Sequence, residues 1–260
     1  MSKKKWVAIG SIVDGAIHLR QEKPCQDGLF LRESEDDKKP AFAIACVADG
    51  HGSGSCPHSD EGAKIAVAVA GELLEAMPHD LNAYKDIRLP RKIESEWKKA
   101  VQKMHAKNGR DEAEPFPYIL YGTTLIAVIA TDKFIFALQI GDGNILMIDK
   151  EGNARPILAV AETVGEDTES LCLDDAWTYV RTQIIPWNAA DAPAMFLLST
   201  DGYANSFTDS KGFTKAGTDF FQLWREKGLD YINENLQGWL RQSSDKGSGD
   251  DIAMALLAFE

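Results

Sequence analysis

The stretch Ala43-Ile44-Ala45-Cys46-Val47-Ala48-Asp49-Gly50-His51-Gly52-Ser53-Gly54 decides how the rest of the chain is read. It opens as a run of small, apolar and β-branched residues, too short for a helix before glycine stops it, which predicts a buried strand. Asp49 then stands at the strand's end, where the chain must turn. Glycines on both sides of His51 remove Cβ bulk and admit backbone angles that other residues resist. A carboxylate, an exposed carbonyl at Gly50 and an imidazole fall within three residues. That is a good beginning for a hard divalent cation, which prefers oxygen ligands. Read alone, the same residues also fit a strand followed by an Asx turn with His51 on the surface. The flanking sequence has to discriminate.

Working outward, the same design recurs. Residues 194–202 form a second apolar strand that stops at Asp201-Gly202. Lys246-Gly247-Ser248-Gly249-Asp250-Asp251 leads into a last strand over 252–259, and Asp27 follows Pro24-Cys25-Gln26 at the start of another apolar stretch. Acids therefore stand beside strand ends at Asp27, Asp49, Asp201 and Asp250/Asp251. The runs 122–130 and 134–140 are apolar almost throughout, predicting strands covered on both faces. Gly141-Asp142-Gly143-Asn144 turns the chain into a further strand over 145–148. A first strand is expected over 6–12 with a tight turn at Asp14-Gly15, and a charged hairpin loop over 34–40. Apolar spacing predicts helices over 59–77, with Ser59 or Asp60 as N-cap and Pro78 as the stop, over about 91–107, and over 220–240. Residues 159–191 lack clean periodicity and carry many acids. They read as an irregular insert or mobile flap with a strand over 177–184.

The composition bounds the partners. A chain of 260 residues with 44% hydrophobic content can bury a large core as one domain spanning 1–260. A formal net charge of −12 argues against nucleic acid or an anionic membrane as the main partner. A phosphate-bearing substrate would also be repelled at long range, so a phosphate site needs local cations. No apolar run approaches the roughly 20 residues of a membrane span, and Met-Ser-Lys-Lys-Lys-Trp lacks the apolar core of a signal peptide. The four cysteines, Cys25, Cys46, Cys56 and Cys172, show no CxxC pairing, which suits free thiols in a reducing cytoplasm. A zinc site from Cys46, Cys56, His51 and His58 is conceivable, but it asks a residue of the buried strand to be a ligand.

Glycine-flanked acids at the rims of buried strands repel one another if they converge unpaired, and their pKa values rise. Magnesium or manganese would remove that cost through oxygen ligands alone. Two such ions roughly 3.5–4 Å apart can share a bridging water, lower its pKa and aim it in line at a phosphoryl group.

At this point the residues meet a known family. Gln26-Asp27, Asp49-Gly50-His51-Gly52, Gly122-Thr123-Thr124, Gly141-Asp142, Ser199-Thr200-Asp201-Gly202 and Gly249-Asp250-Asp251-Ile252 come in an order that resembles the metal-dependent type 2C serine/threonine protein phosphatases, in their compact bacterial form. The resemblance implies an α+β fold, a four-layer α-β-β-α sandwich of two antiparallel sheets flanked by helix pairs, with a dinuclear Mg2+ or Mn2+ centre at one end. It implies that Asp49 bridges two metals with the Gly50 carbonyl on one, that Asp201 and Asp250 hold the other, and that Asp142 holds a weaker third ion. Asp27 would orient the attacking water or bind directly. His51 would be the general acid, a task suited to an imidazole. The implied substrate is a phosphorylated protein, with a serine/threonine kinase or its targets as partners.

The chain also departs from the family pattern. Gln26 stands where many members have Glu, and Asn205 where an acid is expected. Asp251 replaces a common Asn. The family's phosphate-gripping basic residue would fall at Glu22, so Arg20, Lys23 or His18 in the same segment would have to substitute. The main reading is a phosphatase that hydrolyses phosphoserine or phosphothreonine without a phosphoenzyme; no Cys-x5-Arg phosphate loop is present. The rival is a phosphatase-like regulatory or binding module of little activity.

Overall fold

A computed structural model describes residues 5–34, 41–77, 80–110, 115–158, 168–188 and 192–260. The element order begins β1 (Trp6–Val13), α1 (Ala16–Arg20), β2 (Asp27–Glu33), β3 (Phe42–Asp49), α2 (Ser59–Ala76) and α3 (Arg88–Lys107). It continues with β4 (Leu125–Thr131), β5 (Phe134–Ile140), β6 (Asn144–Ile148), β7 (Ala154–Pro156), β8 (Arg181–Pro186) and β9 (Met195–Ser199). It ends with α4 (Asp201–Ala204), α5 (Ser210–Lys227), α6 (Leu229–Lys246) and β10 (Ile252–Phe259).

Two five-stranded sheets result, ordered β1-β10-β9-β6-β7 and β2-β3-β4-β5-β8, with every pairing antiparallel. Side chains alternate faces along a strand, and here both faces are covered. On β3, Phe42, Ile44, Cys46 and Ala48 pack with α2 and α3 residues such as Leu74, Ile93 and Trp97. The intervening Ala43, Ala45 and Val47 meet Phe196, Leu198, Ala253 and Ala255 of the opposite sheet. On β10 the other parity, Ile252, Met254 and Leu256, packs with Phe220, Ile232 and Leu236 of α5 and α6. The layers run α2/α3, sheet, sheet, α5/α6, the four-layer α+β sandwich that the family resemblance implies. Near-continuous apolar strands are what such double coverage requires.

The elements differ from the sequence expectation in places with clear causes. The single helix expected over 220–240 is two helices, because Gly228 at φ 85° takes the left-handed backbone that ends α5. Ser59 begins α2 but caps nothing. Its Oγ accepts hydrogen bonds from Gln26 Nε2 at 3.1 Å and Gly52 N at 3.3 Å. The strand expected over 177–184 starts later, at Arg181, because residues 176–178 form a 3-10 turn. Within the expected insert, 159–167 and 189–191 lie outside the described residues, as do 35–40 of the expected hairpin loop and Pro78. Among the described residues, no helix is long and apolar enough to cross a membrane.

Helix α2 comes close to the 3-10 turn Tyr118–Tyr121 at Gly62, where a Cβ would collide with the Tyr121 carbonyl, while Trp97 Nε1 donates to the Gly62 carbonyl at 3.0 Å. Alanine normally gains up to about 1 kcal/mol over glycine in a helix, but backbone overpacking costs roughly 1–3 kcal/mol. Gly62→Ala is therefore expected to lower Tm, by about 2–4 °C per kcal/mol of net loss. Differential scanning calorimetry reads this directly, and an unchanged or higher Tm would deny the close approach.

Candidate metal centre

Strand parity delivers four side chains to one end of the sandwich. On β2 and β3, Leu29, Leu31, Ala43, Ala45 and Val47 face the opposite sheet, and the same parity continues to Asp27 and Asp49, which are direct cross-strand partners. From the facing sheet, Phe196 and Leu198 continue to Thr200, and Ala253 and Ala255 continue back to Asp251. Thr200 Oγ1 donates to Asp27 Oδ2 at 2.7 Å across the sheets and accepts from Ala253 N at 3.0 Å.

The Gly122-Thr123-Thr124 segment clamps the backbone of Asp49. Thr124 N donates to the Asp49 carbonyl at 2.8 Å, Thr123 Oγ1 donates to the same carbonyl at 2.9 Å, and Asp49 N donates to Thr124 Oγ1 at 2.9 Å. Gly50 N donates to the Gln26 carbonyl at 3.1 Å and His51 N to the Gly122 carbonyl at 3.2 Å. A Cβ on Gly122 would stand 2.7 Å from His51 Cδ2, so glycine there makes room for the imidazole. Gly52 has φ 63°, and a side chain on it would run into the Gln26 amide. Gln26 thus fills the space under the Gly50–Gly52 turn.

The acids converge on a cleft of about 290 Å³ lined by His18, Gln26, Asp49, Gly50, His51, Gly52, Asp142, Thr168, Asp201 and Asp250. No lysine or arginine is among these residues. Carboxylate oxygens of Asp49, Asp142 and Asp201 lie within 4.8 Å of one another, and His18, Asp250 and Asp251 form a second such group. Asp250 therefore lines the expected cleft but groups with His18 rather than with Asp49. Burial pushes the Asp27 and Asp49 carboxyls well above the usual carboxylate range, and the neighbouring acids push them further. Asp201 is raised by burial and then by Asp142 and Asp250, although hydrogen bonds from Asp49 and Asn205 oppose this. Burial also raises Asp250. Burial lowers the pKa of His51, partly offset by Asp142.

This donor set fits a divalent cation. Carboxylate oxygens of Asp49, Asp142 and Asp201 stand within 4.8 Å of one another with no lysine or arginine lining the cleft beside them, and a cation placed among them would offset their mutual repulsion through oxygen ligands alone. The zinc alternative is not realised: the two metal-sized groups among the described residues include no cysteine, and Cys46 is buried in β3. All four cysteines are free thiols.

Two residues matter more than the sequence suggested. Asp251, noted only as a substitution, is 3% exposed; its Oδ2 accepts from Gln26 N at 2.7 Å and lies 2.8 Å from His18 Nδ1, and its Oδ1 accepts from Gly15 N. It ties the start of α1 to the site and sets His18 at the cleft. Thr168 Oγ1 donates to Asp142 Oδ2 at 3.1 Å. Arg20 and Lys23, by contrast, are exposed and do not line the cleft; Arg20 Nε donates to the Ala16 carbonyl. Asn205 Nδ2 donates to Asp201 Oδ2 at 2.9 Å.

The comparisons with known proteins agree with this architecture. No curated protein sequence matches the chain. Among solved structures, the catalytic domain of the serine/threonine protein phosphatase PstP in complex with two manganese ions is similar at a TM-score of 0.66 and 14% identity, with 99% of each chain covered. Stp1 from Staphylococcus aureus is similar at a TM-score of 0.64 and 13% identity, covering 100% of this chain and 96% of that one. PppA of Pseudomonas aeruginosa is similar at 0.64 and 15%, covering 99% and 100%. At such identities these likenesses speak for the fold. The sequence itself speaks for the family: a model described as protein phosphatase 2C matches residues 14–241, from the Asp14-Gly15 turn into α6, and the chain belongs to that family.

Proposed function

We propose that residues 1–260 work as one phosphatase domain that hydrolyses phosphoserine and phosphothreonine in proteins with two divalent cations, Mg2+ or Mn2+. The observation that carries this reading is the convergence of Asp49, Asp142, Asp201 and Asp250 on a cleft lined by no Lys or Arg, with Asp27 paired across the strands to Asp49 and the carboxyl pKa values of Asp27, Asp49, Asp201 and Asp250 raised by burial. Asp49, the Gly50 carbonyl, Asp201 and Asp250 would hold the two cations, and Asp142 a third. When bound, the cations supply positive charge to the phosphoryl group and activate the attacking water.

The chain's own groups do the rest. Asp27, held by the Thr200 hydroxyl, accepts a hydrogen bond from the attacking water and orients it. His51, fixed at its backbone to Gly122, delivers a proton to the departing serine or threonine oxygen. His18, held by Asp251 and lining the cleft, takes the phosphate-gripping role, since Arg20 and Lys23 do not line it. The substrate class makes a serine/threonine kinase or its targets the functional counterpart, and the free thiols suit action in a reducing cytoplasm.

The deciding experiment follows hydrolysis of p-nitrophenyl phosphate and a phosphothreonine peptide with manganese, with magnesium and with chelator. Turnover on both is expected with metal and is expected to vanish with chelator. Metal binding by calorimetry should release protons, because the raised carboxyls are partly protonated before the cation arrives. No turnover and no heat of binding would replace this reading with that of a binding module.

A further inference from the structure

Strand β5 reads Phe-Ile-Phe-Ala-Leu-Gln-Ile, and its one polar residue, Gln139, is 1% exposed. It shares the parity of Ile135 and Ala137, which face the opposite sheet. Burying an amide there costs stability unless its hydrogens find acceptors. Gln139 Nε2 donates to the Gly141 carbonyl at 3.2 Å and to the Gly143 carbonyl. These are the carbonyls of the two residues that flank Asp142, so both hydrogens of the NH2 group are directed at one turn. Arg181, the cross-strand partner of Gln139 on β8, donates to the same Gly141 carbonyl and to Glu169 Oε2 at 3.3 Å.

The turn is also wedged in place. Gly141 has φ 94°, and a Cβ on it would stand 2.5 Å from Thr124 Cγ2, while a Cβ on Gly143 would stand 2.9 Å from the Ser199 carbonyl. Thr124 clamps the Asp49 backbone, and Ser199 lies two residues before Asp201. Asp142 is therefore held between the two segments that carry the other acids of its group.

We propose that Gln139 is a positioning residue of the metal centre, whose amide holds the Gly141–Gly143 turn so that Asp142 stays against Asp49 and Asp201. The role rests on the reading of the cleft as a cation site. Three carboxylates within 4.8 Å of one another repel, and that repulsion pushes the Asp142 turn outward. The buried amide opposes the push at two points, one on each side of the aspartate. An apolar residue at 139 would suit the core as Ile135 and Ala137 do, but it would leave the turn free to yield. Outer partners that orient a metal ligand are typically worth 10–100-fold in metal affinity.

The test titrates the full chain with manganese by calorimetry and needs no turnover. Asp142→Asn defines the Asp142-dependent binding as the part it removes. Gln139→Leu, close in size and without donors, should weaken that binding by about 10–100-fold. The double variant Gln139→Leu/Asp142→Asn should bind no more weakly than Asp142→Asn alone, because an orienting residue then has nothing to orient; a merely structural role would make the two losses add. Gln139→Asn keeps the amide on a stem one methylene shorter. It should fall between Gln139→Leu and the parent, and it carries the test if leucine prevents folding. Manganese affinity unchanged in the position-139 variants, or losses that add in the double variant, would overturn the proposal. Turnover of p-nitrophenyl phosphate recorded in parallel judges the phosphatase reading separately: coupled manganese binding without turnover removes that reading and keeps the role of Gln139.

Discussion

Asp49→Asn is expected to abolish metal binding by calorimetry, to lower turnover by at least about 10²–10³-fold, and yet to raise the Tm of the metal-free protein. The first two effects follow from losing the acid most enclosed by other acids, since removal of a preorganised electrostatic element costs on that order. The third follows from linkage. The folded pKa of Asp49 is raised above the ordinary carboxylate value by burial and then by Asp27, Asp201, Asp250 and Asp142. A carboxyl raised in this way stabilises the fold when protonated, and that contribution is lost as pH rises through the folded pKa. At pH 7–8, without metal, the ionised fraction of the cluster is a burden, and asparagine of nearly the same shape removes one member. Each kcal/mol recovered is worth about 2–4 °C at this chain length. By the same sign, the metal-free parent should melt higher at pH 6 than at pH 8, and manganese should raise Tm more at pH 8. Paired thermal scans with and without chelator test both statements. A metal-free Tm for the variant below that of the parent would mean that the acids are not in conflict.

His51→Ala is expected to separate two substrates. A serine or threonine alkoxide is a poor leaving group and needs a proton in the transition state, whereas p-nitrophenolate does not. Loss of a positioned general acid costs about 10²–10⁴-fold. The phosphothreonine peptide should show that loss in kcat, with p-nitrophenyl phosphate nearly unaffected. Burial lowers the His51 pKa, so the imidazolium is the minority form at neutral pH. Turnover of the peptide should fall as pH climbs through that lowered value, and the fall should be missing with p-nitrophenyl phosphate. Equal losses on the two substrates would move His51 from proton delivery to structural support of the Gly50–Gly52 turn.

Much of this architecture was legible along the chain. Apolar runs at 43–48, 122–130, 134–140, 194–199 and 252–259 specify strands covered on both faces, because only burial on both sides makes such runs soluble. Acids at the ends of those runs can be named without coordinates, and Asp49, Asp201 and Asp250 do line one cleft together with Asp142, with Asp27 paired across the strands to Asp49. Local chemistry was read less well where tertiary contacts compete for it. Ser59 has the side chain of an N-cap, yet its hydroxyl serves Gln26 and Gly52. The helical pattern over 220–240 hides the break at Gly228, since periodicity is insensitive to a single left-handed residue.

The sequence by itself determined which residue types carry the chemistry and the order in which they arrive, because strand periodicity and Asp-Gly stops are local properties of the chain. Only the tertiary structure decided which of them face one another. It paired Asp27 with Asp49 through strand register and reached Thr200 across the two sheets to hold Asp27. It turned Asp251 inward to hold His18 while Arg20 and Lys23 point to solvent. Those choices depend on sheet order and on the packing of β10 between β1 and β9, and the contacts Thr200–Asp27 and His18–Asp251 join residues 173 and 233 positions apart, which no local pattern encodes.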